Sequence, residues 1–188
     1  MGAIQLQTNF AIEAGKLVIR YQVTNQDSRD AYLLNRLYRT TPEWMFTPDV
    51  VYIQPNPETG EVWFYKKLAD LPPRPNPTGP VAPYVSPVRA GGVFREKIVL
   101  GLPVQPWEEY REYKPVENHG PRMYSYARFS VGYYWRPEGT VEQERSIQGT
   151  EVVFPVTPPG SAIEFGLAES ERVRIDLPVA ETVIPEGR

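Results

Sequence analysis

Along residues 16–24, Leu17, Ile19, Tyr21 and Val23 alternate with Lys16, Val18, Arg20, Gln22 and Thr24. That period of two predicts a half-buried strand whose odd positions face a core. The polar run Asn25-Gln26-Asp27-Ser28-Arg29-Asp30 ends it, because such side chains bond their own backbone and favour turns, and an apolar run over 32–38 predicts the next strand. Runs at 50–54 and 61–66, separated by Pro55-Asn56-Pro57-Glu58-Thr59-Gly60, predict a hairpin. Residues 93–100 follow an Ala90-Gly91-Gly92 turn. In the long run 123–135, Ala127, Phe129, Val131, Tyr133 and Trp135 fall on one face. With 147–156 and 173–177 the pattern predicts eight or nine strands.

No window of a dozen residues keeps the i, i+3, i+4, i+7 apolar spacing of an amphipathic helix, and 21 prolines would interrupt most such windows. The one helix candidate is 106–114, with Pro106 at the first helical position and Trp107, Tyr110 and Tyr113 or Lys114 sharing a face. Many short strands with little helix predict an all-β, antiparallel sandwich, since parallel strands need long crossovers that are usually helical.

Seven prolines, Pro72, Pro73, Pro75, Pro77, Pro80, Pro83 and Pro87, fall within 71–88. Each lacks an amide donor, so the segment is expected to be a long proline-rich loop between strands rather than a central strand. The chain is read as a single β-sandwich domain over 1–177 followed by a loosely ordered tail over 178–188.

Composition narrows the chemistry. The chain has 188 residues, 41% of them hydrophobic, with no cysteine and one histidine. Disulfides, thiolate nucleophiles and cysteine-ligated zinc are excluded, and one imidazole cannot build a histidine-rich metal site, which leaves only an all-carboxylate Ca²⁺ or Mg²⁺ site open. A net charge of −3 with scattered Lys and Arg gives no basic stripe for nucleic acid. Without an apolar run of membrane-spanning length or a basic, then apolar N-terminus, the expectation is a cytoplasmic protein that engages no membrane. No glycine-rich nucleotide motif is present, and no cofactor is expected.

His119, in Val116-Glu117-Asn118-His119-Gly120-Pro121, has no framed nucleophile beside it and reads as a loop residue. Paired carboxylates are the remaining catalytic route, and Glu96, Glu108, Glu109 and Glu112 are the residues available for a carboxylate-dependent hydrolase. Aromatic residues make up 12% of the chain and cluster. Neighbouring rings on a strand point to opposite faces, so one set must be displayed or covered by loops. Trp63, Tyr65, Trp107, Tyr110, Tyr113 and Tyr134 form the candidate contact surface, suited to a protein interface or to stacking on sugar rings.

The run Leu17-Val18-Ile19-Arg20-Tyr21-Gln22-Val23-Thr24-Asn25, the polar turn after it, and Gly60-Glu61-Val62-Trp63 resemble the opening of intracellular immunoglobulin-like domains of bacteria, such as the intracellular proteinase inhibitor family. The resemblance covers roughly residues 16–100 and implies an immunoglobulin-like sandwich. No inhibitory residue can be matched. The expectation is therefore a non-catalytic sandwich acting through protein contacts, as adaptor, inhibitor or oligomer subunit; a carbohydrate-binding module using Trp63, Tyr65, Trp107, Tyr110 and Tyr134 is the alternative, and the hydrolase a second.

Overall fold

A computed structural model describes residues 3–40, 43–70 and 83–185. Among them it has strands and no helix: β1 Ile4–Glu13, β2 Lys16–Asn25, β3 Ala31–Arg36, β4 Tyr52–Asn56, β5 Glu61–Lys66, β6 Tyr84–Val88, β7 Val93–Gly101, β8 Lys114–Pro115, β9 Arg122–Trp135, β10 Val141–Ile147, β11 Thr150–Val156, β12 Phe165–Glu169, β13 Val173–Val179 and β14 Thr182–Val183. A small sheet runs β1-β2-β7. A large one runs β10-β11-β6-β3-β9-β5-β4, with β12 and β13 also on β9.

Leu17, Ile19, Tyr21 and Val23 of β2 are all buried, as their alternation requires. They meet Ala127, Phe129 and Val131 of β9, Val62 and Phe64 of β5, and Leu177 of β13 in one apolar cluster that joins the two sheets as facing layers. Tyr21 and Phe129 rings lie 4.6 Å apart at its centre.

Strand β9 organises the large sheet. Its residues 126–131 pair in parallel with β5 and residues 133–135 pair with β3, while 130–134 pair with β12 and 122–127 with β13. A residue bonded to two strands must hold one on each edge, so β3 and β5 share one edge of β9, and β12 and β13 share the other. Ser170 fills the gap between β12 and β13: its N–H donates to Phe129 O at 2.8 Å and its hydroxyl accepts the Phe129 N–H at 3.0 Å.

The chain crosses between layers after β2, after β6 and again after β7, and buried Asn25 ties the first two crossings. Its Nδ2 donates to the carbonyls of Arg29, Val88 and Arg89 at 2.7, 3.1 and 3.2 Å, and its Oδ1 accepts the Asp27 N–H at 3.0 Å. One side chain thus satisfies backbone groups on two connections that are distant in sequence.

Several expectations are corrected. The small sheet is antiparallel throughout, but the large sheet is mixed rather than wholly antiparallel, because β5 and β9 run parallel. They can do so because a long excursion, from β5 through β6 and β7, separates them in the chain. The candidate helix at 106–114 is extended: Trp107 exchanges both backbone hydrogen bonds with Ile53, and Tyr110 turns the chain at φ +66°, outside the helical region. Of the proline-rich segment, 71–82 lies outside the described residues, and Tyr84–Val88 is an interior strand between β3 and β11. Pro87 is tolerated there because the register with β11 is confined to Val85↔Val153, two residues away.

The run 147–156 divides at a Gln148-Gly149 turn, both residues with positive φ, into the end of β10 and the whole of β11. Strand β1 is an addition to the strands the pattern predicts; an Ala14-Gly15 turn of the same kind joins it to β2. Residues 178–185, read from the sequence as the start of a loose tail, include the end of β13 and β14. Pro178 O accepts the Val104 N–H at 2.9 Å, and β14 pairs with β8.

Candidate functional site

Five of the six candidate contact residues gather on the outer face of β4 and β5. Alternation along β5 turns Val62 and Phe64 inward and Trp63 and Tyr65 outward. Opposite them, Tyr52 pairs with Tyr65. Around Tyr52 and Tyr65 pack Leu37, Val50 and Ala69, with Trp63, Trp107 and Tyr110 half-buried at the margin. The rings pack in tilted pairs: Trp63 to Tyr65 at 5.0 Å, Tyr52 to Tyr65 at 5.3 Å and Tyr52 to Trp107 at 5.0 Å. Cations lie over the remaining faces, Arg128 4.4 Å from the Trp63 ring and Lys67 5.3 Å from Tyr65. Trp63 Nε1–H donates to Ser130 Oγ at 2.9 Å.

Glu108 anchors the 107–113 segment to this platform. It accepts hydrogen bonds from the Tyr65 hydroxyl and, at 2.5 Å, from the Tyr113 hydroxyl, and pairs with Arg111 at 2.7 Å. Burial first, then the bond to Glu108, drives the Tyr65 and Tyr113 hydroxyls well above the ordinary phenol range. Both phenols therefore stay protonated donors, and the segment closes over Tyr65, which is only 4% exposed.

Tyr134 stands apart from these five. Its ring packs on Tyr32 at 5.3 Å and Phe165 at 5.8 Å, in a different cluster formed by Tyr32, Leu34, Val85 and Val153. Burial pushes its hydroxyl up to about 12. Beside it, β12 carries the most exposed apolar residues of this region, Phe165 at 61% and Leu167 at 42%, with Ile163 at 44% just before the strand.

Of the acids considered for catalysis, Glu96 does not join Glu108. It lies on the inner face of β7 at the centre of a buried ionic cluster that alternation alone did not bring to notice. Glu96 Oε2 sits 2.9 Å from Lys66 Nζ and accepts the Tyr21 hydroxyl at 2.6 Å, and Oε1 sits 2.5 Å from Arg36 Nη1. Lys66 also donates to Pro48 O at 2.7 Å. Burial pushes the Glu96 carboxyl up, but the charges of Lys66 and Arg36 outweigh it and hold the group below the ordinary carboxylate range. Burial lowers the Lys66 ammonium, with Glu96 acting against it. Lys66 continues the inward phase Val62, Phe64, Lys66, and Glu96 the phase Phe94, Glu96, Ile98; charges in those phases were the signal available in the sequence.

Glu109 is only partly enclosed and its carboxyl is raised by burial, with Arg39 opposing. Glu112 and His119 are exposed, and His119 Nδ1 lies 2.9 Å from the Glu117 carbonyl oxygen. Among the described residues, no group of three or more His, Cys, Asp or Glu side chains is arranged to hold a metal ion, and no helix is long and apolar enough to cross a membrane.

What the chain shows is an all-β domain with buried aromatic clusters, without a tie to immunoglobulin-like or proteinase-inhibitor families in particular. Searches of family models, of curated proteins and of solved structures find no match to this chain.

Proposed function

We propose that the chain is a non-catalytic, immunoglobulin-like β-sandwich protein that works through protein contacts, and that its contact face is the outer side of β12 together with Tyr134. One observation carries this reading: Phe165 and Leu167 of β12, with Ile163 two residues ahead of the strand, expose oily side chains at alternate positions, and β12 pairs only with β9 among the described residues. An aligned apolar stripe on a sheet margin is the kind of surface that proteins bury against one another. The two layers and the paired crossings after β2 and β6 support the sandwich part.

The platform around Trp63 and Tyr65 fits a sugar site less well. A pyranose needs a bare ring face, and Arg128, Lys67 and Tyr52 already occupy those faces. The non-catalytic part is supported by the engagement of Glu96 and Glu108, each holding three donors within the fold. Sedimentation velocity tests the proposal, alone and with native-cell lysate, on labelled wild type and on the double variant Phe165→Glu, Leu167→Glu. Wild type is expected to sediment as an oligomer or a larger complex, and the variant as a monomer. A monomeric wild type in both settings, or a variant that behaves like wild type, removes the reading.

A further inference from the structure

Where β4 and β7 form the margins of their sheets, the two layers do not close, and a cleft of about 570 Å³ lies between them. That is the size of a small-ligand site. Val51, just before β4, and Ile53 of β4 line one side, Val99 of β7 and Leu102 the other, and Trp107 lines it too. The lining holds a single cationic side chain, Arg39.

Arg39 is placed by its own backbone, which exchanges two hydrogen bonds of 2.9 Å with Met45. Its guanidinium lies 4.8 Å from the centre of the Trp107 ring. The Nε atom is buried with no hydrogen-bond partner. A buried donor left without an acceptor is costly, and most such groups in folded proteins have one. Two carboxylates bear on the site without pairing with Arg39. Asp49 lines the cleft, but its Oδ1 accepts the Val99 N–H at 2.7 Å. Glu109 acts on Arg39 only through the field.

We propose that this cleft binds a small amphipathic carboxylate of the medium-chain fatty-acid kind, with its hydrocarbon against Val51, Ile53, Val99 and Leu102 and its carboxylate accepting hydrogen bonds from Arg39. The charge count selects the head group. One guanidinium matches one carboxylate as a planar fork, and Asp49, which opposes any anion in the cleft, opposes a phosphate dianion more strongly than a monoanion. The walls select the tail, because Val51, Ile53, Val99 and Leu102 give it a mostly apolar surface, with Thr47, Asp49 and Gln105 as the polar exceptions. The site is independent of the β12 contact face and lies on other strands.

Sodium decanoate is the probe, titrated below its micellar range by calorimetry, with methyl NMR shifts to locate it. Saturable binding is expected, with the largest shifts at Val51, Ile53, Val99 and Leu102. Arg39→Gln is expected to weaken it by about tenfold or more. Arg39→Lys, which keeps the charge and loses the fork, should fall between the two. Decyltrimethylammonium, with a similar tail and the opposite charge, should not compete. The proposal is overturned by absence of saturable binding to wild type, by equal binding to folded Arg39→Gln, by equal binding of the ammonium amphiphile, or by shifts that map away from the cleft. Should Arg39→Gln fail to fold, the lysine variant and the ammonium control still decide the matter.

Discussion

Lys66 on β5 holds Glu96 on β7 at 2.9 Å across the interior, with the ammonium fully buried and the carboxylate nearly so. Each layer contributes a charge that the other must neutralise, so the pair works only while the layers are in register. Removing one member strands the other in a dry environment. Glu96→Gln, which leaves Lys66 and Arg36 facing a neutral amide, should cost about 3–5 kcal/mol in urea unfolding. The double variant Lys66→Met, Glu96→Gln should cost clearly less than the two single changes added together.

Acid should weaken the same contact. Because the Glu96 carboxyl is held below its unfolded value of 4.5, its contribution is fully present above that pH and is lost as pH falls through the lower folded value. Lys66 acts in the same sense on the alkaline side. Its folded pKa lies below the unfolded 10.5, so between the two values the unfolded chain binds more protons and stability rises with pH. Thermal melts across pH should show wild type losing stability below 4.5 by more than Glu96→Gln does. Equal losses in the two proteins would disprove the assignment.

Asn25→Ala should loosen the crossings after β2 and β6 at once, since three backbone carbonyls and the Asp27 N–H lose their partner. A cost of roughly 2–3 kcal/mol is expected, with faster amide exchange at Asp27 and in the 89–92 turn. Asn25→Asp should be worse, because a carboxylate would then face those carbonyl oxygens. Chemical denaturation with exchange mass spectrometry checks both.

Ala14 sits at φ +48° in the two-residue turn between β1 and β2. A side chain there is strained, so Ala14→Gly or Ala14→Asn should raise stability by roughly 1 kcal/mol. A shift of the urea midpoint to higher concentration, with an unchanged slope, is the expected result.

The strands most legible in the sequence were those with one solvated face. β2 shows its period of two in Leu17, Ile19, Tyr21 and Val23, and β9 in Ala127, Phe129 and Val131. β1 carries no such signal because Gln5, Gln7, Thr8 and Asn9 dilute its oily residues, and neither does β10, where Glu142, Glu144 and Arg145 make a solvated run. The parallel pairing of β5 with β9 has no local signature, since it is set by which edges remain free after the rest has packed. Most candidate aromatics were found together, but the segment 107–113 covers part of them through Glu108, a long-range contact that no spacing reveals. The ionic cluster joins residues 21, 36, 66 and 96, and its meeting point exists only once both layers are in place.

Because β3 and β5 share one edge of β9, neither bonds the other, and each waits for a strand that begins at Arg122. Those margins are sealed only by residues as far along as Trp135 of the 188, so a ribosome must first release most of the polypeptide. Until then the nascent chain presents open backbone to its neighbours, the kind of margin on which strand-to-strand aggregation begins.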